Sequence, residues 1–221
     1  MIRAVIFDMD GVLVDSEPWY LEFFREFIRK NGREPDEELL LKTIGASNRE
    51  TWRLVGQMWD PEADPAEVER IYRTRPDARY VQFQEAAFPG MQKALSSLAS
   101  AGIRLLIASA SSRKSVVRMT EETGIAPFIH AIVSGEQVKE SKPAPDVYLR
   151  AIELSGVPKE ECIAVEDSAY GVMAGHAAGI PVVGVDSRLV PGASDGADFR
   201  IRDVSEMPQF LMNHFGTQLR L

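Results

Sequence analysis

Short runs of apolar residues recur along this chain, separated by longer segments in which apolar and polar residues follow helical spacing. The runs are rich in valine and isoleucine and do not alternate with polar residues, which is typical of strands buried on both faces of a parallel sheet. We therefore predict five strands, at Ile2–Phe7, Ile103–Ala108, Ala131–Val133, Ile163–Val165 and Val182–Val185.

Amphipathic segments lie between most of these runs. The predicted helices are Met91–Ala101, Ser112–Thr123, Asp146–Ser155 and Tyr170–Ala178. A glycine follows each of them closely, where a helix commonly ends. This alternation predicts the α/β class, with a doubly wound, Rossmann-like and mostly parallel sheet joined by right-handed crossovers.

The segment 16–84 interrupts the alternation, because it contains no convincing buried strand. Its pattern instead predicts four helices, at Glu17–Lys30, Asp36–Ile44, Arg49–Trp59 and Pro65–Tyr80. We interpret residues 16–84 as an all-helical domain inserted into an α/β core that consists of residues 1–15 and 85–221.

Composition and charge restrict the function further. The 221 residues are 45% hydrophobic and 26% charged, which is ordinary for a globular protein. A net charge of −8 argues against nucleic acid as the main partner. The single cysteine, Cys162, is interpreted as a buried apolar residue, and it fits a reducing compartment. No membrane-spanning run or signal peptide is recognised, so we expect a cytoplasmic protein.

Polar residues follow four of the predicted strands. In open α/β sheets, ligands bind outside the carboxyl ends of the strands. We therefore expect these side chains to share one crevice. They are Asp8 and Asp10 after the first strand, Ser109 and Ser111, with Ala110 between them, after the second, Lys142 after the third, and Glu166 and Asp167 after the fourth.

Four carboxylates in one crevice repel each other unless a cation accompanies them. No histidine cluster or cysteine pair lies with them, and ligation by oxygen alone favours Mg²⁺. The serines and Lys142 suit an anionic ligand, and a helix that begins at "SSRKS" would direct backbone N–H groups to the same place. These features together indicate phosphoryl transfer.

Four motifs carry a resemblance to a known family. "DMDGVLVDS", "ASAS", "SKPAPD" and "EDSAYGVMAGHAAG" resemble the motifs of the haloacid dehalogenase superfamily, in order and at plausible spacing. The similarity is greatest to its β-phosphoglucomutase-like sugar phosphatases, and the helical insertion lies where this superfamily places a small cap domain.

The resemblance implies a role for each residue. Asp8 would be the nucleophile that forms an aspartyl-phosphate, and Asp10 would be the general acid and then the base for water. Mg²⁺ would be held by Asp8, by the backbone carbonyl of Asp10 and by Asp167, with Glu166 bound directly or through water.

The same resemblance assigns the substrate contacts. Ser109 and the N–H of Ala110 would hold phosphate oxygens, with Ser111 beside them, and Lys142 would offset the phosphate charge. In the cap, Arg49 aligns with an arginine that binds the distal group of a phosphosugar. The planar guanidinium can form paired hydrogen bonds to a phosphate or to vicinal hydroxyls.

One departure from the family pattern bears on the reaction. The mutase branch carries a cap histidine shortly after its first motif, and this chain has Tyr20 at that position. The histidines that it does have, His130, His176 and His214, are interpreted as structural or surface residues. The sequence therefore favours a hydrolase over a mutase.

Three functions remain as hypotheses. The favoured one is a Mg²⁺-dependent phosphatase of a small phosphomonoester, a sugar phosphate, acting as a monomer on a phosphorylated metabolite. The second is a β-phosphoglucomutase-type phosphosugar mutase, which shares every core residue. The third is a non-catalytic binding module, whose mark would be the loss of Asp8, Asp10, Lys142 or the acidic pair, and none of these is lost.

Overall fold

The structure, a computed structural model, describes residues 1–77 and 79–216. The chain divides into two compact units, which we call the core unit (Met1–Asp15 with Phe83–Leu221) and the cap unit (Ser16–Gln82). The sequence predicts that the inserted domain ends at residue 84, and in the structure the cap unit ends at Gln82. Two parts of the predicted domains lie outside the described residues. They are residue 78 in the inserted domain and residues 217–221 in the α/β core.

The cap unit contains helices near all four predicted positions. They are α1 (Glu17–Lys30), α2 (Glu37–Leu41), α3 (Asn48–Trp59) and α4 (Pro65–Thr74). Helix α4 ends earlier than predicted because Arg75 has an extended backbone and precedes Pro76, whose ring disfavours helical geometry in the residue before it. Five aromatic side chains pack together inside this unit, namely Phe24, Phe27, Trp52, Trp59 and Tyr72.

The core unit is built on one sheet of six strands. They are β1 (Ala4–Phe7), β2 (Arg104–Ser109), β3 (Ile129–Ser134), β4 (Cys162–Glu166), β5 (Val182–Val185) and β6 (Phe199–Ile201). Every neighbouring pair is parallel, in the order β3-β2-β1-β4-β5-β6. This confirms the predicted doubly wound α/β fold, and it places the acidic end of β1 at the centre of the sheet, between β2 and β4.

The described residues of the core unit form six α-helices. They are α5 (Phe83–Ala86), α6 (Met91–Ser100), α7 (Arg113–Glu122), α8 (Asp146–Ser155), α9 (Ala169–Ala177) and α10 (Met207–Phe215). Short 3₁₀ helices span Ala126–Phe128, Gly135–Gln137, Lys159–Glu161 and Val204–Glu206. Helices α8 and α9 pack on the sheet face that Ala4, Ile6, Leu106 and Ala164 form. None of the helices in the described residues has the length and apolar character needed to cross a bilayer.

In the described part of the core unit, one strand and two α-helices were not predicted, besides the short 3₁₀ helices. Strand β6 is short, and only Ile201 of its residues is buried, so its sequence has no apolar run. Helix α5 has four residues, too few for a helical period to show. Helix α10 lies after the last segment to which the sequence pattern assigned an element.

The two segments by which the chain leaves and re-enters the core unit are hydrogen-bonded to each other. The Asp15 N–H donates to the Ala86 carbonyl at 2.7 Å, and the Phe88 N–H donates to the Leu13 carbonyl at 3.2 Å. An isolated bridge pairs Val14 with Ala87. The loop that carries Asp8 and Asp10 is therefore anchored at both ends, by β1 and by this pairing.

Candidate active site

A tight loop follows β1 and carries the two aspartates. The Met9 carbonyl accepts from the Leu13 N–H at 2.9 Å, and the Gly11 N–H donates to the Val14 carbonyl at 2.9 Å. Gly11 has a φ of +77°, in the left-handed region that favours glycine. A Cβ at this position would lie 1.9 Å from Oδ2 of Asp167. The loop can therefore approach Asp167 only because residue 11 has no side chain.

Three carboxylates meet at the ends of β1 and β4. Oxygen atoms of Asp8, Glu166 and Asp167 all lie within 4.8 Å of one another. Glu166 is fully buried and Asp167 is 3% exposed. Buried, closely spaced carboxylate oxygens are the donors that a hard divalent cation such as Mg²⁺ prefers. The residues present therefore fit the magnesium ion that the sequence implies.

Lys142 lies against two of these carboxylates. Its Nζ donates to Oδ1 of Asp8 at 2.8 Å and to Oε1 of Glu166 at 2.5 Å. Burial by itself lowers the pKa of Lys142, but attraction to Asp8 and Glu166 outweighs it and leaves the pKa above its usual value. The lysine is therefore charged at neutral pH, and it offsets only part of the negative charge of the cluster.

Glu166 has further protein contacts besides Lys142. Its Oε1 also accepts from the Tyr148 hydroxyl, and the Ser168 hydroxyl lies 3.5 Å from Oε2. Burial raises the pKa of Glu166 to about 7; the charge and hydrogen bond of Lys142 oppose the rise and the charge of Asp8 adds to it. A bound cation would favour the ionised carboxylate, so metal and proton compete for this site.

The second aspartate has a different environment. Oδ2 of Asp10 accepts from the Ser111 hydroxyl at 2.8 Å, and its side chain does not belong to the three-carboxylate group. The Ser111 carbonyl in turn accepts from the Ser134 hydroxyl at 2.7 Å. Asp10 and Ser111, which come from the first and second predicted motifs, are therefore in direct contact.

The hydroxyl-rich loop after β2 forms a hydrogen bond within itself. Ser109 is fully buried, and its Oγ accepts from the Ser111 N–H at 3.0 Å. Because Oγ is the acceptor in this hydrogen bond, the Ser109 hydroxyl can still donate its proton to a ligand. The predicted helix begins here as α7, but the Arg113 N–H donates to Glu136 at 3.0 Å and the Ser115 N–H donates to Ser112 at 3.3 Å. Two of its first N–H groups are thus already used.

Arg49 is the second residue of α3, and its side chain is exposed. In the described part of the cap unit, Arg33 and Arg49 are the basic residues without an ion pair. The paired ones are Arg25, Arg29, Lys30, Lys42, Arg53, Arg70, Arg73, Arg75 and Arg79. The guanidinium of Arg49 is therefore available to a ligand.

The remaining candidates lie apart from the carboxylates. Cys162 is buried in β4, where burial raises the pKa of its thiol. His130 is an exposed residue of β3, and the ring of His214 stacks on Phe210 at 4.4 Å. His176, on α9, contacts Asp198 at 3.0 Å. Tyr20 is a half-buried residue of α1.

Sequence reasoning missed residues that support the site. Tyr148 fits the apolar stripe of α8, so its spacing indicates a core residue and gives no sign of its hydrogen bond to Glu166. Gly171 was also missed. A Cβ there would lie 1.9 Å from Oε2 of Glu166. A glycine inside a helix is a weak signal in one sequence, because it is also tolerated without any such contact.

Known proteins resemble this chain over most of its length. The haloacid dehalogenase-like hydrolase family matches residues 5–185. Protein CbbY of Rhodobacter capsulatus is 31% identical over 217 residues, which cover 92% of this chain and 94% of that protein. A phosphorylated carbohydrates phosphatase of Thermotoga maritima is 31% identical over 81% of this chain and 82% of that protein. The crystal structure of CbbY from Rhodobacter sphaeroides in complex with phosphate superimposes with a TM-score of 0.78, at 26% identity, over 94% of this chain and 96% of that one.

Proposed function

Because this chain belongs to the haloacid dehalogenase-like hydrolase family, we propose that it is a Mg²⁺-dependent phosphatase of a small phosphomonoester, a sugar phosphate. One observation carries the proposal. Asp8 lies at the end of the central strand, within hydrogen-bonding distance of a buried lysine and within a group of three carboxylates. A nucleophile, a fixed positive charge and a metal site are the parts that phosphoryl transfer by an aspartate requires.

In the first step, a carboxylate oxygen of Asp8 attacks phosphorus, and the bond between phosphorus and the ester oxygen breaks. The products are an aspartyl-phosphate on Asp8 and the sugar, which leaves with a free hydroxyl group once its alkoxide is protonated. Lys142, 2.8 Å from Oδ1 of Asp8, holds this carboxylate in one orientation and offsets the charge of the approaching phosphate. The proton-bearing hydroxyl of Ser109 supports a contact with a phosphate oxygen.

Asp10 supplies the proton transfers. It protonates the leaving alkoxide in the first step and accepts a proton from water in the second, when water attacks phosphorus and releases phosphate from Asp8. The Ser111 hydroxyl, 2.8 Å from Oδ2 of Asp10, orients this carboxylate. Because the side chain of Asp10 lies outside the three-carboxylate group, we assign it to proton exchange and not to the metal.

Asp8, Glu166 and Asp167 would hold the magnesium ion, together with the backbone carbonyl of Asp10. When bound, the ion would neutralise negative charge on the phosphate and on these carboxylates. Lys142, in the loop that precedes α8, donates to Glu166, and the absence of a side chain at Gly11 leaves room for Asp167.

The substrate class follows from the relatives and from the cap unit. One relative is named as a phosphatase of phosphorylated carbohydrates. The exposed guanidinium of Arg49 has no ion-pair partner among the described residues, and it suits the hydroxyls or second phosphate of a phosphosugar. We therefore assign substrate binding in the cap unit to Arg49.

The test is release of phosphate with Mg²⁺ from a panel of phosphosugars, nucleotides and small phosphoacids. The proposal expects release from one or a few hexose, deoxyhexose or pentose phosphates, and an Arg49→Ala variant should raise KM more than it lowers kcat. The panel includes β-glucose 1-phosphate with and without its bisphosphate. Conversion to glucose 6-phosphate only with the bisphosphate, and no phosphate release, would identify a mutase and overturn the proposal.

A further inference from the structure

Tyr148 is a buried polar residue to which the reaction described above gives no direct part. Its side chain is fully buried on α8, which packs against the sheet beneath the acidic cluster. A buried tyrosine usually places its hydroxyl on a partner. Here the partner is Glu166, whose Oε1 accepts from the Tyr148 hydroxyl.

The same tyrosine also contacts the lysine of the site. Nζ of Lys142 lies 5.3 Å from the centroid of the Tyr148 ring, close enough for a cation–π contact. Lys142 and Tyr148 both donate to Oε1 of Glu166. Tyr148 therefore touches two members of the site, one with its hydroxyl and one with its ring.

This arrangement leaves the two oxygens of Glu166 in different situations. Oε1 already has two donors, one of them charged. Among the described residues, only the Ser168 hydroxyl donates to Oε2, at 3.5 Å. Oε2 also lies next to Gly171, where a Cβ would collide with it. Oε2 is thus the oxygen with acceptor capacity left for a cation or for water bound to one.

We propose that Tyr148 is a positioning residue, which holds Oε1 of Glu166 against Lys142 so that Oε2 is directed to the magnesium site. Residues that hydrogen-bond to a metal-ligating carboxylate fix its orientation, and their loss typically weakens metal binding 10- to 100-fold. This inference rests on the proposed function for the identity of the metal, and it extends the site to a residue on α8.

The test compares Mg²⁺ binding by wild type and Tyr148→Phe, using titration calorimetry on the purified full chain without substrate. The substitution removes one oxygen and keeps the ring that packs in the core. Mg²⁺ affinity should fall about 10-fold. In turnover assays, the Mg²⁺ concentration for half-maximal rate should rise by the same factor, while KM for the phosphoester at saturating Mg²⁺ stays within about twofold.

Ser155→Ala is the matched control. Ser155 is also a fully buried hydroxyl on α8, but its Oγ donates to the Ile152 carbonyl at 2.6 Å and accepts from the Val157 N–H at 3.1 Å. It should change thermal stability without changing Mg²⁺ affinity. An equal loss of Mg²⁺ affinity in this variant would assign the effect to the stability of α8 and overturn the inference.

A double-mutant cycle with Glu166→Gln tests whether Tyr148 acts through that carboxylate. Once Glu166 is replaced, Tyr148→Phe should produce no further loss of Mg²⁺ affinity. Additive losses, or a Tyr148→Phe variant that binds Mg²⁺ as wild type does, would refute the positioning role, as would a wild type that binds no Mg²⁺. A wild type that binds Mg²⁺ but releases phosphate from no ester would instead refute the proposed function, because the calorimetric comparison needs no substrate.

Discussion

Replacing Gly11 with alanine separates the chemistry of the site from the stability of the fold. Gly11 has a φ of +77°, and a Cβ there would lie 1.9 Å from Oδ2 of Asp167. Gly102, which follows α6, provides the matched control. Its φ is +81°, but a Cβ there would meet nothing within 4 Å. The two alanine variants thus share the same backbone strain, and only one of them collides with a carboxylate of the proposed metal site.

The expected magnitudes follow from these distances. A left-handed backbone disfavours alanine by about 1–2 kcal/mol. A loss of about 1 kcal/mol lowers Tm by about 2–4 °C in a chain of this size. Both variants should show this loss. In Gly11→Ala, Oδ2 of Asp167 must also move by more than 1 Å to reach even the shortest tolerated contact of 3.0 Å. A displacement of about 1 Å can lower turnover about 100-fold.

The assay is Mg²⁺-dependent phosphate release, with thermal unfolding recorded on the same preparations. Gly102→Ala should keep wild-type turnover and Mg²⁺ dependence despite its lower Tm. Gly11→Ala should lose turnover about 100-fold and require more Mg²⁺. Wild-type activity and Mg²⁺ dependence in Gly11→Ala would refute the placement of Asp167 at the metal site.

Four further outcomes are expected. Asp8→Asn should abolish phosphate release and leave the circular dichroism spectrum unchanged, and residual turnover near the wild-type rate would exclude Asp8 as nucleophile. EDTA should abolish phosphate release and added Mg²⁺ should restore it, whereas an undiminished rate of release in EDTA would contradict the metal assignment. Lys142→Met should lower the free energy of unfolding by about 3–5 kcal/mol, because it leaves two buried carboxylates unpaired; a denaturation midpoint equal to that of wild type would disprove this. In metal-free protein, burial raises the pKa of Glu166 from 4.5 to about 7, so its contribution to stability is full below pH 4.5 and is lost as pH rises through 7. Denaturant titrations over this range should show that decline in wild type and a smaller one in Glu166→Gln, and equal declines would contradict it.

Much of the core unit could be predicted because its strands are buried on both faces. The runs at Ala4–Phe7 and Val182–Val185 are buried at every residue. Their sequences are therefore continuously apolar, which is the pattern by which they were predicted as strands. The β6 strand has no such constraint, since it lies at the sheet edge with Arg200 exposed. Helix ends were less predictable, as the early end of α4 before Pro76 illustrates.

The sequence also predicts which residues meet at the candidate site, because parallel strands bring their carboxyl ends to one edge. Asp8, Lys142 and Glu166 are far apart in sequence, and they are in contact in the structure. Sequence pattern could not reveal which groups hold them in place. The Tyr148 hydroxyl contributes to the site through one hydrogen bond, and a residue at a core position gives no sequence signal for its polar atom.

The helix N-terminus at "SSRKS" shows a different limit. The sequence correctly indicates a helix there, and in the structure Ser112 is its N-cap. The expectation that its N–H groups face a ligand did not account for Glu136, a residue from the loop after β3 that accepts from the Arg113 N–H. Competition of this kind between side chains and ligands depends on tertiary contacts, which spacing along the chain does not encode.

The central claim is that Asp8 carries the phosphoryl group during turnover. The most direct measurement is peptide mass analysis after rapid acid quenching of wild type and Asp8→Asn with Mg²⁺ and the best substrate of the panel. The account predicts one phosphoryl group on the wild-type peptide that contains Asp8, none in Asp8→Asn, and none in wild type when EDTA replaces Mg²⁺. Steady release of phosphate with that peptide unmodified at every quench time, or a phosphoryl group on another residue, would contradict it.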